Sequence, residues 1–315
     1  ENLKVLACSL ENEPIPGHLR YGWVKSFCDS YNDKNIIVTH ITEELPQYPE
    51  EHPQFWDIWC DLIKENCPDI EVIYSSEDYG FELAKRLNIQ HKLVDKEREK
   101  HPISGTKIRE NPYENWQFIN QKARPYFINR VYFLGPESTG KTTTSKMLAD
   151  KYQVNWVPEY GRLFYEKNNG KIELMDFPEI VIKQREIENN LAERTQDKLM
   201  FCDTETITTK LFCELYYPEE YSKLEEFFNF HIKKQLENKC HFFVMEPGNV
   251  ESVQDGTRKF ISTDERNNHF KRIIQELNKW GLSYTVLAGD YNDRNKSVEI
   301  FVQQVLKLQY ETVDN

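Results

Sequence analysis

The chain has 315 residues, 39% of them hydrophobic and 13% aromatic, and a formal net charge of −12. That length accommodates two domains with cores of their own, and the acidic balance argues against a nucleic-acid-binding surface. No apolar run reaches membrane-spanning length and no signal peptide is visible.

The cysteines at 8, 28, 60, 67, 202, 213 and 240 are scattered, odd in number and free of C-x-x-C spacing. This reads as reduced thiols of a cytoplasmic protein rather than a disulfide framework or a zinc site. Nothing in the composition decides oligomeric state, which leaves a homo-oligomer open.

In chain order, L-K-V-L-A-C (3–8) reads as a buried strand, followed by a turn-rich piece with prolines and by helical spacing over 19–31. I-I-V-T-H-I (36–41) is a second strand, 55–66 an amphipathic helix, 72–75 a third strand, 79–87 a helix and 91–94 a short strand. Strands alternating with helices indicate a parallel α/β sheet. I-S-G-T-K-I-R follows at 103–109. Ser104, Thr106, backbone N–H groups and Arg109 would surround an anion there; an ordinary helix N-cap with Arg109 on a solvated face fits the same spacing. Residues 120–129 show no pattern, and the domain boundary is placed there.

Residues 130–143 read R-V-Y-F-L-G-P-E-S-T-G-K-T-T. An apolar strand, a G-x-x-x-x-G-K-T loop and a helix form the context of a P-loop. Gly135 and Gly140 allow the backbone N–H groups to approach phosphate, Lys141 offers charge to the β- and γ-phosphates, and Thr142 offers a hydroxyl to Mg²⁺. The loop, with Glu137, Ser138, Thr139 and Thr143, is therefore assigned to ATP.

A strand over 154–157 ends at P-E-Y-G-R (158–162). Glu159 falls at the strand's C-terminal edge, where doubly wound folds bind ligands, and a carboxylate there can take a proton from a substrate hydroxyl. A helix-capping glutamate satisfies the same position. After a long helix from 177 to 191, L-M-F-C-D-T-E (199–205) is a Walker-B-like strand whose Asp203 would hold Mg²⁺ with Thr142. Asp203 also fits a strand-end cap, and it could share the role of base with Glu159. A fourth strand spans 241–246, a helix 270–280, a fifth strand 284–288 and a last helix 298–308.

These motifs together resemble one family. I-S-G-T-K-I-R is similar to the I-S-x-T-x-I-R signature of nucleotidylyltransferases that make NAD from NMN and ATP. With G-P-E-S-T-G-K-T and P-E-Y-G-R behind it, and with H-P-Q-F-W-D-I-W (52–59), S-S-E-D-Y-G (75–80) and N-P-Y-E-N-W (111–116), the chain resembles the bifunctional NadR-type enzymes along nearly its whole length.

The resemblance implies a nucleotidylyltransferase-like Rossmann domain over 1–125 and a P-loop ribosylnicotinamide kinase domain over 126–315. The substrates implied are nicotinamide riboside, NMN and ATP with Mg²⁺, and no nucleic acid or membrane partner. In the first domain Ser104, Thr106, Arg109 and Trp59 would meet the nucleotide. In the second, Glu159, Tyr160, Arg162 and Asp203 would meet the acceptor, with Lys141 in the catalytic set.

Tyr160, Tyr216, Tyr217 and Trp156 are aromatic faces for a cationic nicotinamide ring, and Tyr160 is the one singled out. D-G-T-R (255–258) and D-E-R (264–266) look like the lid of nucleoside and nucleotide kinases, Arg258 and Arg266 closing over the phosphates. G-D-Y-N-D-R (289–294) falls where such kinases hold adenine, which makes Arg294 a base-contact candidate. The family's adenylyltransferase half opens with G-x-F-x-P-x-H-x-G-H, whose histidines contact ATP phosphates; no H-x-G-H occurs here. The chain, opening on Glu1, is therefore expected to begin after that motif, which leaves adenylyl transfer to a longer parent protein. Another nucleoside as acceptor and a non-catalytic ATP or NAD sensor are the alternatives.

Overall fold

The computed structural model describes residues 2–248 and 262–308. The chain divides into two compact units, Glu1–Ala123 and Arg124–Asn315.

In the first unit the elements are β1 (Leu3–Cys8), α1 (Gly17–Asp29), β2 (Ile36–Ile41), α2 (Phe55–Asn66), β3 (Val72–Ser75), α3 (Tyr79–Leu87), β4 (Gln90–Leu93) and α4 (Gly105–Glu110). The strands form two parallel pairs, β1 with β2 and β3 with β4. Helix α2 carries its apolar residues at helical spacing and buries Phe55, Cys60, Leu62 and Ile63. Leu62 meets Ile41 and Leu45, while Cys60 and Ile63 meet Leu83 of α3. Leu6 of β1 rests on both clusters, so α2 is the helix that gathers this unit's core. Helix α3 stops at Asn88, whose left-handed backbone (φ 54°) turns its N–H back to the last turn.

The second unit runs α5 (Arg124–Phe127), β5 (Asn129–Leu134), α6 (Lys141–Tyr152), β6 (Asn155–Val157), α7 (Tyr160–Lys167), α8 (Phe177–Arg194), β7 (Leu199–Cys202), α9 (Thr206–Tyr216), α10 (Glu225–Leu236), β8 (Lys239–Met245), α11 (Thr263–Lys279), β9 (Tyr284–Leu287) and α12 (Tyr291–Ile300). Its five strands lie in the order β6-β7-β5-β8-β9, all parallel. Every residue of the central β5 is buried, as a strand covered by helices on both faces requires. Its polar atoms are spent inside. Tyr132 donates to Glu188 of α8 at 2.8 Å, and Arg185 donates to the same carboxylate oxygen at 2.6 Å.

Two expected elements differ. The helix placed at 270–280 begins at Thr263, because Ser262 and Glu265 close a capping box at its start. The last helix begins at Tyr291, capped by Asp290, and passes into a π-helical turn over Phe301–Val305.

Candidate functional site

The strand order sets the C-terminal ends of β5, β7 and β6 side by side, and the site is built on those three ends. The loop after β5 needs glycine at two places. A Cβ on Gly135 would lie 2.9 Å from Met245 Cβ and 3.0 Å from Thr139 Oγ1. Gly140 has φ +87°, and a Cβ there would meet the Tyr291 ring at 2.9 Å. Between them, Thr139 is buried and donates its hydroxyl to the Pro136 carbonyl at 2.7 Å. Lys141 opens α6 and curls back over the loop, donating to the carbonyls of Gly135 (2.9 Å) and Pro136 (3.0 Å). Thr143 is exposed on the first turn of α6, while Glu137 and Ser138 are half-buried.

Asp203 follows β7, its N–H donating to the Val157 carbonyl at the end of β6. Thr142 donates to Asp203 Oδ2 at 2.6 Å. Asp203 Oδ1 is buried and accepts no hydrogen bond among the described residues. A buried carboxylate oxygen left over beside a hydroxyl is a donor set that suits Mg²⁺, which takes one or two protein oxygens and completes its shell with phosphates and water. Burial and then the neighbouring charge of Glu159 push the Asp203 carboxyl up to about 7, against the pull of Thr142, Lys141 and Arg162. Burial also raises Glu159, opposed by Lys141 and Arg162 and reinforced by Glu137. Two carboxylates thus share one crowded, partly desolvated space beside a lysine and an arginine, the arrangement that tunes a carboxylate toward proton acceptance.

Glu159 stands before the first residue of α7 but makes no side-chain cap hydrogen bond. Capping of the helix after Asp203 falls instead to Glu205, which is fully buried and accepts from Thr208 N (2.7 Å), Thr208 Oγ1 (2.8 Å) and Ile207 N.

Several expected residues stand elsewhere. Tyr160 turns toward α8, its hydroxyl donating to Glu179 at 3.3 Å. Trp156 gives its indole N–H to Ser145 at 2.9 Å, and Tyr217 gives its hydroxyl to the Ile172 carbonyl at 2.8 Å. Of the four aromatic candidates it is Tyr216 whose phenol feels the charges of Glu137, Tyr165 and Glu159. Arg162 pairs with Glu166 one turn along α7 at 3.0 Å, and its charge still reaches Glu159 and Asp203.

Arg294, the base-contact candidate, is engaged within the protein. It is buried within α12, donating Nη1 to the Thr139 carbonyl at 2.6 Å and Nη2 to the Glu246 carbonyl at 3.1 Å. Arg266 is not on a loop. It lies in the first turns of α11, buried, one turn before His269, which burial and the charge of Lys141 hold down to about 3. Arg258 lies outside the described residues.

In the first unit Ser104 is the N-cap of α4, accepting from Lys107 N at 3.2 Å, and Thr106 accepts from Arg109 at 3.2 Å. Burial, and then the neighbouring charge of Arg109, lower the pKa of Arg20. Trp59 is partly buried, packs against Phe55 and the apolar cluster of Ile41, Leu45 and Leu62, and donates its indole N–H to the Pro46 carbonyl at 2.9 Å. No helix among the described residues is long and apolar enough to cross a membrane, and all seven cysteines are free thiols.

Residues 130–294, from β5 to Arg294, match the family model described as AAA domain. The "Trifunctional NAD biosynthesis/regulator protein NadR" of Salmonella typhimurium is 28% identical over 271 residues, covering 83% of this chain and 63% of that protein. Its namesake in Escherichia coli matches to the same extent. The chain therefore spans less than two thirds of the length of these curated relatives. Among solved structures, a NadR protein in complex with NAD and AMP-PNP superposes with a TM-score of 0.77 at 25% identity, covering 100% of this chain and 90% of that one. A NadR protein in complex with NR gives the same TM-score at 24% identity, covering 91% of that chain. The resemblance to NadR-type proteins carried by the motifs extends along most of the chain.

Proposed function

The chain belongs to the AAA domain family, and from that premise we propose that its second unit transfers the γ-phosphate of ATP to the 5′-hydroxyl of nicotinamide riboside, giving NMN and ADP in a route of NAD biosynthesis. The observation that carries this reading is the Thr142–Asp203 pair at 2.6 Å, with Glu159 close enough to raise the Asp203 carboxyl. A loop that only bound nucleotide would need no second desolvated carboxylate beside the metal-holding one. The choice of acceptor is supported by the relatives' names and by the neighbour bound to NR.

In this reading the loop amides and Lys141 hold the β- and γ-phosphates. Thr142 and Asp203 would hold Mg²⁺, which would supply positive charge to offset that of the phosphates. Glu159 accepts the proton of the 5′-hydroxyl as that oxygen bonds to the γ-phosphorus and the bond to the ADP oxygen breaks. Arg162 lies near enough to Glu159 and Asp203 to oppose the rise of both carboxyls, and His269 of α11 feels the charge of Lys141. Adenylyl transfer from ATP to NMN belongs to a protein whose first unit also holds the G-x-F-x-P-x-H-x-G-H motif, and this sequence does not contain it.

The test is turnover of nicotinamide riboside with Mg-ATP, following ADP and NMN and then NAD. NMN is expected, with no NAD, and Lys141→Ala should abolish it while the protein stays folded. Phosphorylation of a different nucleoside in an acceptor panel would replace the acceptor, and undiminished turnover by Lys141→Ala would overturn the kinase reading itself.

A further inference from the structure

We propose that Gln184 is a positioning residue for the base: its carboxamide oxygen holds the Glu159–Tyr160 peptide, so that the Glu159 carboxylate stays off the N-terminus of α7 and is left for the acceptor hydroxyl. The inference rests on the kinase reading and concerns how one glutamate is kept for proton transfer.

Two glutamates stand at matching places beside each other in the sheet. Glu159 lies between β6 and α7 and is the residue before that helix; Glu205 lies between the adjacent strand β7 and α9 and is the residue before that one. A helix start leaves N–H groups without partners, and an acidic side chain at this position ordinarily accepts from the second or third of them. Glu205 does so, accepting from Ile207 N and from Thr208 N at 2.7 Å. Glu159 makes no such bond. The backbones differ accordingly: Glu205 is fully extended (φ −157°, ψ 179°), whereas Glu159 has φ −70° and ψ 106°.

The group that holds Glu159 in its own conformation comes from α8. The Tyr160 N–H, which belongs to the peptide joining the two residues, donates to Gln184 Oε1 at 2.8 Å. The carbonyl of the same peptide accepts from Leu163 N at 3.4 Å. With both its polar groups engaged, the peptide plane is set, and with it the ψ of Glu159. Gln184 and Ile180, one turn apart on α8, are both buried. A Cβ on Gly161 would lie 3.4 Å from Ile180 Cγ2 and 3.9 Å from Glu159 Oε1. The carboxylate therefore lies beside the first turn of α7 without bonding to it. Gln184 Nε2 is buried and has no hydrogen-bond partner among the described residues. An idle buried donor costs stability, so packing alone would favour an apolar side chain of the same length. The bond that the carboxamide does make is the one on the peptide of the base.

The experiment is a double-mutant cycle on kcat, with nicotinamide riboside and Mg-ATP as substrates. Gln184→Met keeps the length and removes the acceptor oxygen. Gln184→Asn keeps the amide and withdraws its oxygen by one methylene, and carries the cycle if the methionine variant does not fold. Each should lower kcat by about tenfold with the KM for ATP unchanged, because the base is misplaced and the phosphate site is not. In a Glu159→Gln background the same substitutions should change kcat by less than about twofold, since no base is left to misplace. Equal losses in both backgrounds would make Gln184 structural and overturn the proposal, as would wild-type kcat in the folded Gln184→Asn variant. Undiminished turnover by Glu159→Gln alone would remove the base and this inference with it, leaving the kinase reading in place. Failure of the wild type to phosphorylate nicotinamide riboside is a separate result, which overturns the kinase reading itself.

Discussion

Arg294 donates to the carbonyl of Thr139 at 2.6 Å, joining α12 to the middle of the phosphate-binding loop. Its other terminal nitrogen holds the Glu246 carbonyl just after β8, so one buried guanidinium braces the loop against the neighbouring strand. Arg294→Met should leave both carbonyls without a donor and lower stability by about 2–4 kcal/mol. The KM for ATP should rise more than kcat falls, because the loop loses its support and not its chemistry. Urea unfolding and initial rates check this together; a KM for ATP equal to that of the wild type would show that the loop holds its shape alone.

Glu159→Gln should reduce kcat by about 10²–10⁴-fold with little change in the KM for ATP. The proton acceptor must be ionised to act, and burial raises Glu159 above the ordinary carboxylate value. Activity should therefore fall as pH is lowered through that raised value, and recover as pH rises above it. The acid limb of the kcat profile should disappear in the glutamine variant. An unchanged rate would remove Glu159 as the base and leave Asp203.

His241 gives a stability prediction with a definite sign. Burial holds it down to about 4, against an ordinary value of 6.5, and its Nε2 faces Asn129 Oδ1 at 3.0 Å. Between those values the unfolded chain binds a proton that the folded chain does not. The contribution is fully present above pH 6.5 and is lost as pH falls toward 4, about 1.4 kcal/mol per pH unit and about 3 kcal/mol in all. His241→Gln keeps a donor toward Asn129 and should flatten the slope of unfolding free energy against pH by one proton over that window. An equal slope in both proteins would place the acid sensitivity elsewhere.

Lys210 is buried on α9 and reaches two carboxylates, Glu276 of α11 at 2.6 Å and Glu214 at 3.0 Å. Arg272 of α11 adds a bond to Glu214 at 2.7 Å. Lys210→Met would leave the buried Glu276 and the partly buried Glu214 without their common partner, at a cost of about 3–5 kcal/mol. Because the pair ties α11 to the helix that follows Asp203, amide exchange in α11 should accelerate more than in α8. Uniform acceleration would mean that the two helices are held by apolar packing instead.

The sheet strands were legible because β5, β7 and β8 are short apolar runs between breakers, and the P-loop because its spacing is fixed by phosphate geometry. Asp203 and Glu159 follow from that, being the residues at the ends of the strands beside it. What the sequence hid is direction. Tyr160 and Tyr216 are equivalent as letters, and only tertiary packing gives one a carboxylate partner on α8 and sets the other against Phe177 and Phe212. Arg294 reads as a base-contact candidate because G-D-Y-N-D-R falls where such kinases hold adenine; that a carbonyl in a distant loop takes its proton is a tertiary fact. The start of α11 is legible, since S-T-D-E at 262–265 is a capping box in plain letters.

The curled posture of Lys141 bears on what this loop can respond to. Its ammonium is already satisfied by two carbonyls of its own loop. Arrival of a nucleotide is then an exchange of acceptors, weakly charged carbonyl oxygens for fully charged phosphate oxygens, and no bare cation has to be stripped of water. Adenosine without phosphates offers nothing for that exchange and would leave the lysine where it is. The loop behaves as a latch that only an anion can lift.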